Sequence, residues 1–295
     1  MQKQTSRKAL QWTILEVLKW TADYFSSHGI DNPRLTAEIL LAETLEIDRV
    51  GLYVRFDQPL TESERTRFRA MVKRRVSREP VAYIVGRKDF WNIALEVTPD
   101  VLIPRPETEI LVAAALEMMP ENRKTPLRVL DMGTGSGAIV ISLAHSMPSP
   151  FYAASDISFA ALAVAARNAF ANNVADRIFF FVSRWFESIS KTFAFDMILS
   201  NPPYIPSTDI RRLAPEIANH EPALALDGDA DGLRDIAILV SESHGFLVDG
   251  GILMMEIGHD QKDAVERLVE KRAEWADLFF KKDYAGHHRV AVLKR

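Results

Sequence analysis

The amino-acid sequence predicts an α/β protein in which a mostly parallel sheet is covered by helices and preceded by a smaller helical segment. Two features of the residue pattern indicate this fold. From residue 126 onward, short apolar strand patterns alternate with longer helical patterns, as expected for a parallel sheet. Before Val81 the apolar residues recur at helical spacing, and no strand alternation of useful length occurs. The length of 295 residues also predicts about two domains.

The composition is that of an ordinary globular protein, with 47% hydrophobic and 26% charged residues. It excludes disordered, collagenous and low-complexity chains. Cysteine is absent, which excludes disulfides, thiolate metal sites and cysteine nucleophiles. No apolar run approaches the roughly 20 residues of a membrane span, and the N-terminal residues lack the pattern of a secretory signal. We therefore expect a cytoplasmic protein without a membrane partner.

Three helices are expected in the N-terminal segment. Apolar residues recur at helical spacing over 14–25 and stop before Gly29, and Asp31-Asn32-Pro33 opens a second helix. Thr61 and Glu64 have the spacing of a capping box and open a third helix. The stretch 65–78 of this helix is rich in arginine. It is interpreted either as a solvated face or as a docking surface for an acidic partner.

The larger segment begins after a short connector. A hairpin is expected over 90–97, followed by a proline-rich stretch. We place a helical domain at 1–84, a hairpin linker at 85–104 and a second domain at 105–295. Phe179-Phe180-Phe181 is expected to lie in the core. Strands are expected at 127–132, 151–155, 178–182, 195–200, 251–257, 278–282 and 289–293, and helices at 110–118, 138–147, 159–172, 232–247 and 261–273.

A glycine-rich turn follows the first of these strands. Gly133, Gly135 and Gly137 alternate with Thr134 and Ser136, so backbone N–H groups and a helix N-terminus can approach a ligand. The spacing differs from the G-x-G-x-x-G of dinucleotide sites and resembles the loop of S-adenosylmethionine (SAM)-dependent methyltransferases. Asp156 ends the next strand, where a carboxylate can accept ribose hydroxyl hydrogens. The same residues also suit a tight strand-to-helix turn, with Asp156 in a helix cap.

The sequence Asn201-Pro202-Pro203-Tyr204 directly follows the fourth strand of the sheet. In an open α/β sheet this position lies beside the glycine-rich turn, at the carboxyl ends of the strands. The Asn201 side-chain oxygen and the Pro202 carbonyl can each accept one hydrogen of a planar –NH₂ group, on which Tyr204 can stack. Such a cradle would orient the nitrogen toward an electrophile. A proline-stiffened turn without chemistry is the alternative.

Longer motifs resemble one family. Asn-Pro-Pro-Tyr in this place is similar to methyltransferases that act on planar nitrogens, and the flanking segments resemble the HemK/PrmC family of protein-(glutamine-N5) methyltransferases. The resemblance covers nearly the whole chain. It rests on Glu79–Gly86, Phe90-Trp91, Leu102–Glu109, His220-Glu221-Pro222, Asp231-Gly232-Leu233, Glu256-Ile257-Gly258 and Lys282–Gly286.

The resemblance implies a class I SAM-dependent methyltransferase with a Rossmann-like, mostly parallel seven-stranded sheet and a substrate-recognition domain at 1–84. It implies transfer of methyl from SAM, with S-adenosylhomocysteine as product, to the Gly-Gly-Gln glutamine of class-I peptide chain release factors. One departure is Arg184, where the family usually has an acid before Trp185. The resemblance implies that the cofactor is bound by Arg105, Thr108, Gly133, Thr134, Gly135, Ser136, Gly137, Asp156, Trp185 and Asn201. It implies that the glutamine is bound by Asn201, Pro202, Pro203 and Tyr204. Of these four, Asn201, Pro202 and Tyr204 would be catalytic.

Several alternatives stay open at this point. An adenine-N6 methyltransferase of DNA or RNA would use the same tetrapeptide, but the net charge is −7 over 87–295, against +3 over 1–86. A ribosomal-protein glutamine methyltransferase and a SAM-binding regulator without activity are the others. We expect no metal site, because the histidines are scattered and no carboxylate cluster accompanies them. We also expect a monomer that forms no stable nucleic-acid complex. His220-Glu221-Pro222 either orders a loop over the substrate or is a surface loop.

Overall fold

The structure is a computed structural model that describes residues 12–120 and 125–295. It divides into two compact units at Gly86 and Arg87. This point lies inside the interval 84–104, where the sequence changes from helical to mixed patterns. Over the two described ranges, no helix is both long and apolar enough to cross a membrane.

The described part of the first unit is helical. Its helices α1, α2 and α4 are the three expected from the sequence, and the capping box of Thr61 and Glu64 is confirmed. The short helices α3 and α5 were not expected, because a helix of one or two turns carries little periodicity. The side chains of Phe25, Leu40 and Leu41 are fully buried at the centre of the unit. The helices are α1 (Ile14–Ser27), α2 (Pro33–Leu45), α3 (Arg49–Val54), α4 (Glu62–Val76) and α5 (Val81–Val85).

The basic stretch at the end of α4 has a structural role that neither interpretation of it anticipated. Arg74 forms a two-pronged ion pair with Glu79, with N···O distances of 2.8 and 2.5 Å. Arg75 is buried and donates to the Glu79 carbonyl at 3.2 Å. Arg78 donates to the carbonyls of Gly29 and His28 at 2.9 and 3.0 Å. These arginines hold the turns that end α4 and α1, so they are not a free basic face.

The second unit begins with a hairpin and continues into a seven-stranded sheet in the order β5-β4-β3-β6-β7-β9-β8. The pairs among β5, β4, β3, β6 and β7 are parallel, whereas β9 is antiparallel to both of its neighbours. The strands are β1 (Arg87–Phe90) and β2 (Ile93–Glu96) in the hairpin, and β3 (Arg128–Met132), β4 (Phe151–Asp156), β5 (Ile178–Val182), β6 (Phe195–Ser200), β7 (Leu247–Glu256), β8 (Asp277–Lys282) and β9 (His288–Lys294) in the sheet.

The predicted mostly parallel sheet of seven strands is therefore confirmed. Its strand order reverses between β3 and β6, which are neighbours although two strands separate them in the chain. Met132 at the end of β3 pairs with Ser200 at the end of β6. The residues after these two strands therefore emerge side by side at the carboxyl edge of the sheet, where α/β proteins bind ligands.

Helices cover both faces of this sheet. One buried cluster joins α6, α7 and α8 to residues such as Val129 and Leu199, and the other joins α11 and α12 to residues such as Leu130 and Ile198. Side chains alternate along a strand, so these neighbours serve opposite layers. The helices are α6 (Thr108–Met118), α7 (Ala138–Ser146), α8 (Phe159–Ala171), α9 (Ser207–Ile210), α10 (Pro215–His220), α11 (Arg234–Glu242) and α12 (Lys262–Val269).

Two expectations about the second unit are wrong in detail. The helix expected over 232–247 ends at Glu242 and continues as a 3₁₀ turn over Ser243–Phe246. Phe179 is 60% exposed rather than in the core. The reason is topological: β5 is an edge strand that pairs only with β4, so fewer neighbours cover its side chains.

Candidate active site

A cavity of about 320 Å³ lies at the carboxyl ends of β3, β4 and β6. Its volume is within the range of small-molecule sites. Most of the residues singled out from the sequence line it together, although they come from five separate segments of the chain. They are Arg105, Thr108, Gly133, Thr134, Gly135, Ser136, Asp156, Trp185, Asn201 and Pro203.

Three of the singled-out residues do not line this cavity: Gly137, Pro202 and Tyr204. Gly137 is the N-cap of α7, and a β-carbon there would lie 2.6 Å from Ile141 Cδ1, so the glycine serves close packing. Pro202 is buried, and Tyr204 is partly buried with its ring against the core. The lining thus exposes Asn201 and Pro203 of the tetrapeptide and keeps Pro202 and Tyr204 behind them.

The glycine-rich loop is held by the end of β4. The backbone N–H groups of Gly133 and Thr134 both donate to the Ser155 carbonyl, at 2.9 and 3.0 Å. The N–H of Gly135 donates to Asp156 Oδ2 at 2.9 Å. The other oxygen, Oδ1, accepts from the N–H of Ser158 at 2.9 Å. Asp156 is therefore part of a helix cap and also a cavity residue, because each carboxylate oxygen keeps a further lone pair.

Two carboxyl groups at this edge of the sheet are less stable as anions than they would be in water. Asp131 is fully buried at the end of β3, and burial raises its pKa to about 7 although Thr134 donates to its Oδ2 at 2.6 Å. Its Oδ1 is also buried and has no hydrogen-bond partner among the residues described. Burial likewise raises the pKa of Asp156. A cationic ligand in the adjoining cavity would stabilise both groups as anions, so the site fits such a ligand.

The wall opposite the loop is Trp185. Its backbone φ is +48°, and its ring lies over Gly133, since a β-carbon on that glycine would be 3.9 Å from the indole. The indole Nε1 donates to Asp235 Oδ1 at 3.0 Å, which fixes the plane of the ring. Sequence reasoning missed Asp235. A partly buried indole requires an acceptor, but spacing along the chain does not say which acid supplies it.

Arg184 also lines the cavity and is exposed. The resemblance suggested an acid there. Asp235 lines the same cavity, but both of its oxygens have partners: Oδ1 accepts from Trp185, and Oδ2 accepts from Arg234 Nη2 at 2.8 Å.

Buried hydrogen bonds connect the tetrapeptide to two distant segments. Asn201 Nδ2 donates to Thr108 Oγ1 at 3.1 Å, and Thr108 Oγ1 donates to Glu256 Oε2 at 2.7 Å. The hydroxyl of Tyr204 donates to Glu256 Oε1 at 3.1 Å. Glu256 ends β7, and the sequence indicated it only as part of a motif without a role. Its carboxylate therefore holds both ends of the tetrapeptide.

Backbone contacts hold the tetrapeptide from the other side. Gln261 Nε2 donates to the carbonyls of Tyr204 and Gly232, at 3.0 and 3.1 Å. Gly232 has a φ of +74°, and a β-carbon there would lie 2.3 Å from the Tyr204 carbonyl oxygen. Only glycine fits at this close approach. This contact explains why a glycine occurs in the Asp231-Gly232-Leu233 motif.

The His220-Glu221-Pro222 segment orders the residues that precede α6. Glu221 is buried; its Oε1 accepts from Arg105 at 2.5 Å and its Oε2 from the N–H of Ile103 at 3.1 Å. Pro222 and Arg105 both line the cavity. Glu221 is therefore buried and holds neighbouring backbone, unlike a residue of a plain surface loop, and its ordering of a loop over the substrate stays a prediction.

No group of three His, Asp or Glu side chains able to hold a metal ion occurs in the described part of the chain.

The sheet order, the glycine-rich loop after β3 and the tetrapeptide after β6 together define a class I methyltransferase domain. A model of the methyltransferase small domain matches residues 108–224, and a model of the PrmC N-terminal domain matches residues 16–86. The hMettl16 catalytic domain, solved in complex with MAT2A 3′UTR hairpin 6, superposes with a TM-score of 0.56 at 14% identity. It covers 69% of this chain and 76% of that one, and this similarity shows the fold.

Curated relatives are similar over nearly the whole length. A release factor glutamine methyltransferase of Geobacter sulfurreducens is 41% identical over 279 residues, which are 95% of each chain. The protein with that name from Rhodopirellula baltica is 38% identical over 287 residues, covering 96% of this chain and 97% of the relative. The chain belongs to the family of release factor glutamine methyltransferases.

Proposed function

We propose that this protein transfers a methyl group from SAM to the side-chain amide nitrogen of the glutamine in the Gly-Gly-Gln motif of class-I peptide chain release factors. The observation that carries the proposal is that Asn201 and the glycine-rich loop share one cavity. An acceptor for –NH₂ hydrogens and a binding loop for a nucleoside cofactor are thereby next to each other. Family membership supports the choice of a protein glutamine as substrate.

The cavity residues fit SAM as cofactor. The loop over 133–136 would lie along its methionine part, Asp156 would accept hydrogens from the ribose hydroxyls, and Trp185 would lie against the adenine. SAM carries a positive charge on sulfur and, when bound, supplies an electrophilic methyl group. Burial makes the carboxyl groups of Asp131 and Asp156 less stable as anions, and the positive charge of SAM would stabilise them. Arg105 and Thr108 complete the lining.

Asn201 and Pro202 would orient the substrate nitrogen. An amide nitrogen is a poor nucleophile because its lone pair is delocalised into the carbonyl group. Asn201 Oδ1 would accept one of its hydrogens at the cavity, with Pro203 beside it. Pro202 and Tyr204 do not line the cavity. Tyr204 would therefore support the cradle from behind instead of stacking on the amide, and the substrate would have to reach past this lining to use the Pro202 carbonyl oxygen as the second acceptor. These acceptors favour the positive charge that develops on the nitrogen during attack.

Tyr204 is not suited to act as a general base. Burial raises the pKa of its hydroxyl, and Glu256 adds to the effect by its charge and by accepting the hydroxyl hydrogen. The tyrosine therefore stays protonated and contributes its ring and its position. Catalysis would come chiefly from orientation, which is worth several kcal/mol in enzymes.

The partner would be a release factor, contacted transiently by a monomeric enzyme. Release factors work on the ribosome, so we propose that the protein acts in the cytoplasm. A stable complex with nucleic acid is not part of this proposal, since the second unit carries a net negative charge.

Methyl transfer from labelled SAM tests the proposed function. The full chain is incubated with a release factor, a ribosomal protein or duplex DNA, and the labelled residue is located by mass spectrometry. Label on the Gly-Gly-Gln glutamine supports the proposal. Label confined to the ribosomal protein or to DNA contradicts it, and so does an absence of transfer with intact SAM binding.

Asn201→Ala tests the cradle directly. It removes the acceptor, so we expect turnover to fall by about 10³-fold or more. The dissociation constant of S-adenosylhomocysteine, measured by calorimetry, should change by less than about fivefold, an RT ln K difference below roughly 1 kcal/mol. Asn92→Ala in the exposed hairpin turn is the matched control and should keep wild-type turnover. Near-normal turnover in Asn201→Ala would exclude the cradle.

A further inference from the structure

Glu256 is a charged side chain that lies behind the cavity and does not line it. It is 1% exposed, and both of its carboxylate oxygens accept hydrogen bonds from hydroxyl groups, Oε2 from Thr108 and Oε1 from Tyr204. In its ionised form Glu256 accepts at both oxygens and has no hydrogen to donate. The direction of both hydrogen bonds is therefore determined by Glu256.

The direction of the hydrogen bond from Thr108 to Glu256 determines the direction of the hydrogen bond between Thr108 and Asn201. A threonine hydroxyl has a single hydrogen, and that of Thr108 is used toward Glu256. Toward Asn201 the same oxygen can only accept, so it must face the Nδ2 side of the amide, at 3.1 Å. If the amide were turned by 180°, Asn201 Oδ1 and Thr108 Oγ1 would be two acceptors facing each other without a hydrogen. That arrangement would leave two partly buried acceptors unsatisfied.

We propose that Glu256 is a positioning residue that, through Thr108, holds the Asn201 amide with Oδ1 turned away from Thr108 and available as the acceptor for the substrate –NH₂ group. This inference rests on the proposed function, because the acceptor matters only if an amide nitrogen is the substrate. Glu256 does not touch the reacting atoms. It determines which end of Asn201 is free to do so.

Neighbouring groups act on the charge of Glu256 in opposite directions. Burial raises the pKa of Glu256, and the charge of Glu107 adds to it, whereas the hydrogen bonds from Thr108 and Tyr204 and the charge of Arg289 act in the opposite direction. No lysine or arginine forms an ion pair with Glu256 among the described residues. Two neutral hydroxyls hold it, and both belong to the site.

A substitution that introduces a hydrogen-bond donor at position 256 distinguishes a positioning role of Glu256 from a purely structural one. In Glu256→Gln the new –NH₂ must face one of the two hydroxyls. When it faces Thr108, the threonine hydrogen turns to Asn201 and favours the wrong amide orientation. We expect kcat to fall by about 10²-fold, with less than about threefold change in the KM for the release factor. Asn201→Asp alone should also be impaired, because one threonine hydrogen cannot serve two carboxylates.

The double variant E256Q/N201D restores a consistent direction. The amide introduced at position 256 donates to Thr108, Thr108 donates to one oxygen of the carboxylate introduced at position 201, and the other oxygen is the acceptor in the cavity. We expect the double variant to be at least about tenfold more active than E256Q, measured at saturating SAM. Losses that simply add would overturn the positioning role.

Controls and a readout independent of turnover complete the test. Glu38→Gln changes another buried carboxylate that accepts from a tyrosine, and it should keep the wild-type kcat. If E256Q folds poorly, Thr108→Val interrupts the relay without changing the carboxylate, and a wild-type kcat there overturns the proposal. Neutron diffraction of the deuterated protein should show the Thr108 deuterium toward Glu256 and Asn201 Nδ2 toward Thr108. The opposite positions overturn the positioning role of Glu256. This readout does not depend on turnover, so it is separate from the test of the proposed function, which a wild-type chain inactive on release factors would exclude.

Discussion

Glu38 in the first unit and Glu256 in the second are both buried and both accept a hydrogen bond from a tyrosine, yet their surroundings differ. Glu38 also accepts from Arg34 at 2.7 Å and from Arg49 at 2.8 Å. Burial tends to raise the pKa of Glu38, but the hydrogen bonds from Tyr53, Arg49 and Arg34 outweigh it and hold that pKa below its usual value. This carboxylate is stabilised as an anion.

Glu256 accepts from two neutral hydroxyls, and burial holds its pKa above the usual value. Asp131 is a more extreme case, because one of its oxygens has no hydrogen-bond partner among the described residues. Glu38 in the helical unit is thus compensated by its arginine partners. Glu256 and Asp131 in the second unit are less stable as anions, as is common at functional sites.

Asp131→Asn gives the largest expected change in stability. The folded-state pKa is raised from 3.8 to about 7, so the group contributes stability that is present below pH 3.8 and lost as the pH rises through 7. The free energy of unfolding of the wild type should therefore fall, relative to Asp131→Asn, by roughly 2–3 kcal/mol between pH 5 and pH 8. Urea denaturation of both chains at the two pH values measures this. The same difference in free energy of unfolding between the two chains at pH 5 and at pH 8 would contradict the raised pKa of Asp131.

Glu38→Gln should change the free energy of unfolding in the opposite direction to Asp131→Asn. It removes an anion that two arginines need, so the variant should be less stable at pH 8 by about 2 kcal/mol. The effect is smaller than for a fully buried pair because the side chains of Arg34 and Arg49 are 39% and 52% exposed. Urea denaturation at pH 8 measures it, and the loss should shrink on acidification as Glu38 is protonated in both folded and unfolded wild type. A stabilised Glu38→Gln would contradict the assignment of a compensated carboxylate.

Thr21→Val gives the smallest expected change in the free energy of unfolding. It tests whether a polar group buried in the first unit without a hydrogen-bond partner lowers stability. The Thr21 hydroxyl oxygen is buried in α1 without a hydrogen-bond partner among the residues described. Replacing it with an isosteric methyl group should raise the free energy of unfolding by about 1 kcal/mol. Thermal unfolding detects the change, and Thr44→Val, which removes a hydroxyl that donates to the Leu40 carbonyl at 2.8 Å, is a control expected to lower stability. Destabilisation by Thr21→Val would reveal a hidden polar role.

Local patterns were sufficient for most of the secondary structure. The helix that starts after Thr61 was predictable because a capping box is encoded within four residues, and the strands of the parallel core were predictable because they are short apolar runs with clear ends. The wrong prediction for Phe179 arises from the tertiary structure and not from a local pattern. Whether an apolar strand is central or at an edge depends on strand order, which local spacing does not contain.

The difference between local patterns and tertiary contacts also explains which parts of the site were predictable. The glycine-rich loop, Asp156 and the tetrapeptide were visible because each follows a strand directly, and parallel strands bring their carboxyl ends together. Asp235 and Glu256 were not assigned roles, because their partners Trp185 and Thr108 lie 50 and 148 residues away in the chain. No periodicity connects positions so far apart.

The sequence by itself determined the class of fold, the loop and the tetrapeptide, because these depend on short patterns and on the rule that ligands lie beyond the carboxyl ends of strands. The family motifs pointed to Glu221, Gly232 and Glu256 without stating their roles. Only the tertiary structure decided that Glu221 orders the segment before α6, that Gly232 gives the Tyr204 carbonyl room, and that Glu256 sets the direction of the hydrogen bonds that reach Asn201. The physical reason is that a hydrogen-bond chain has a direction only when its donors and acceptors are seen together, and folding brings them together.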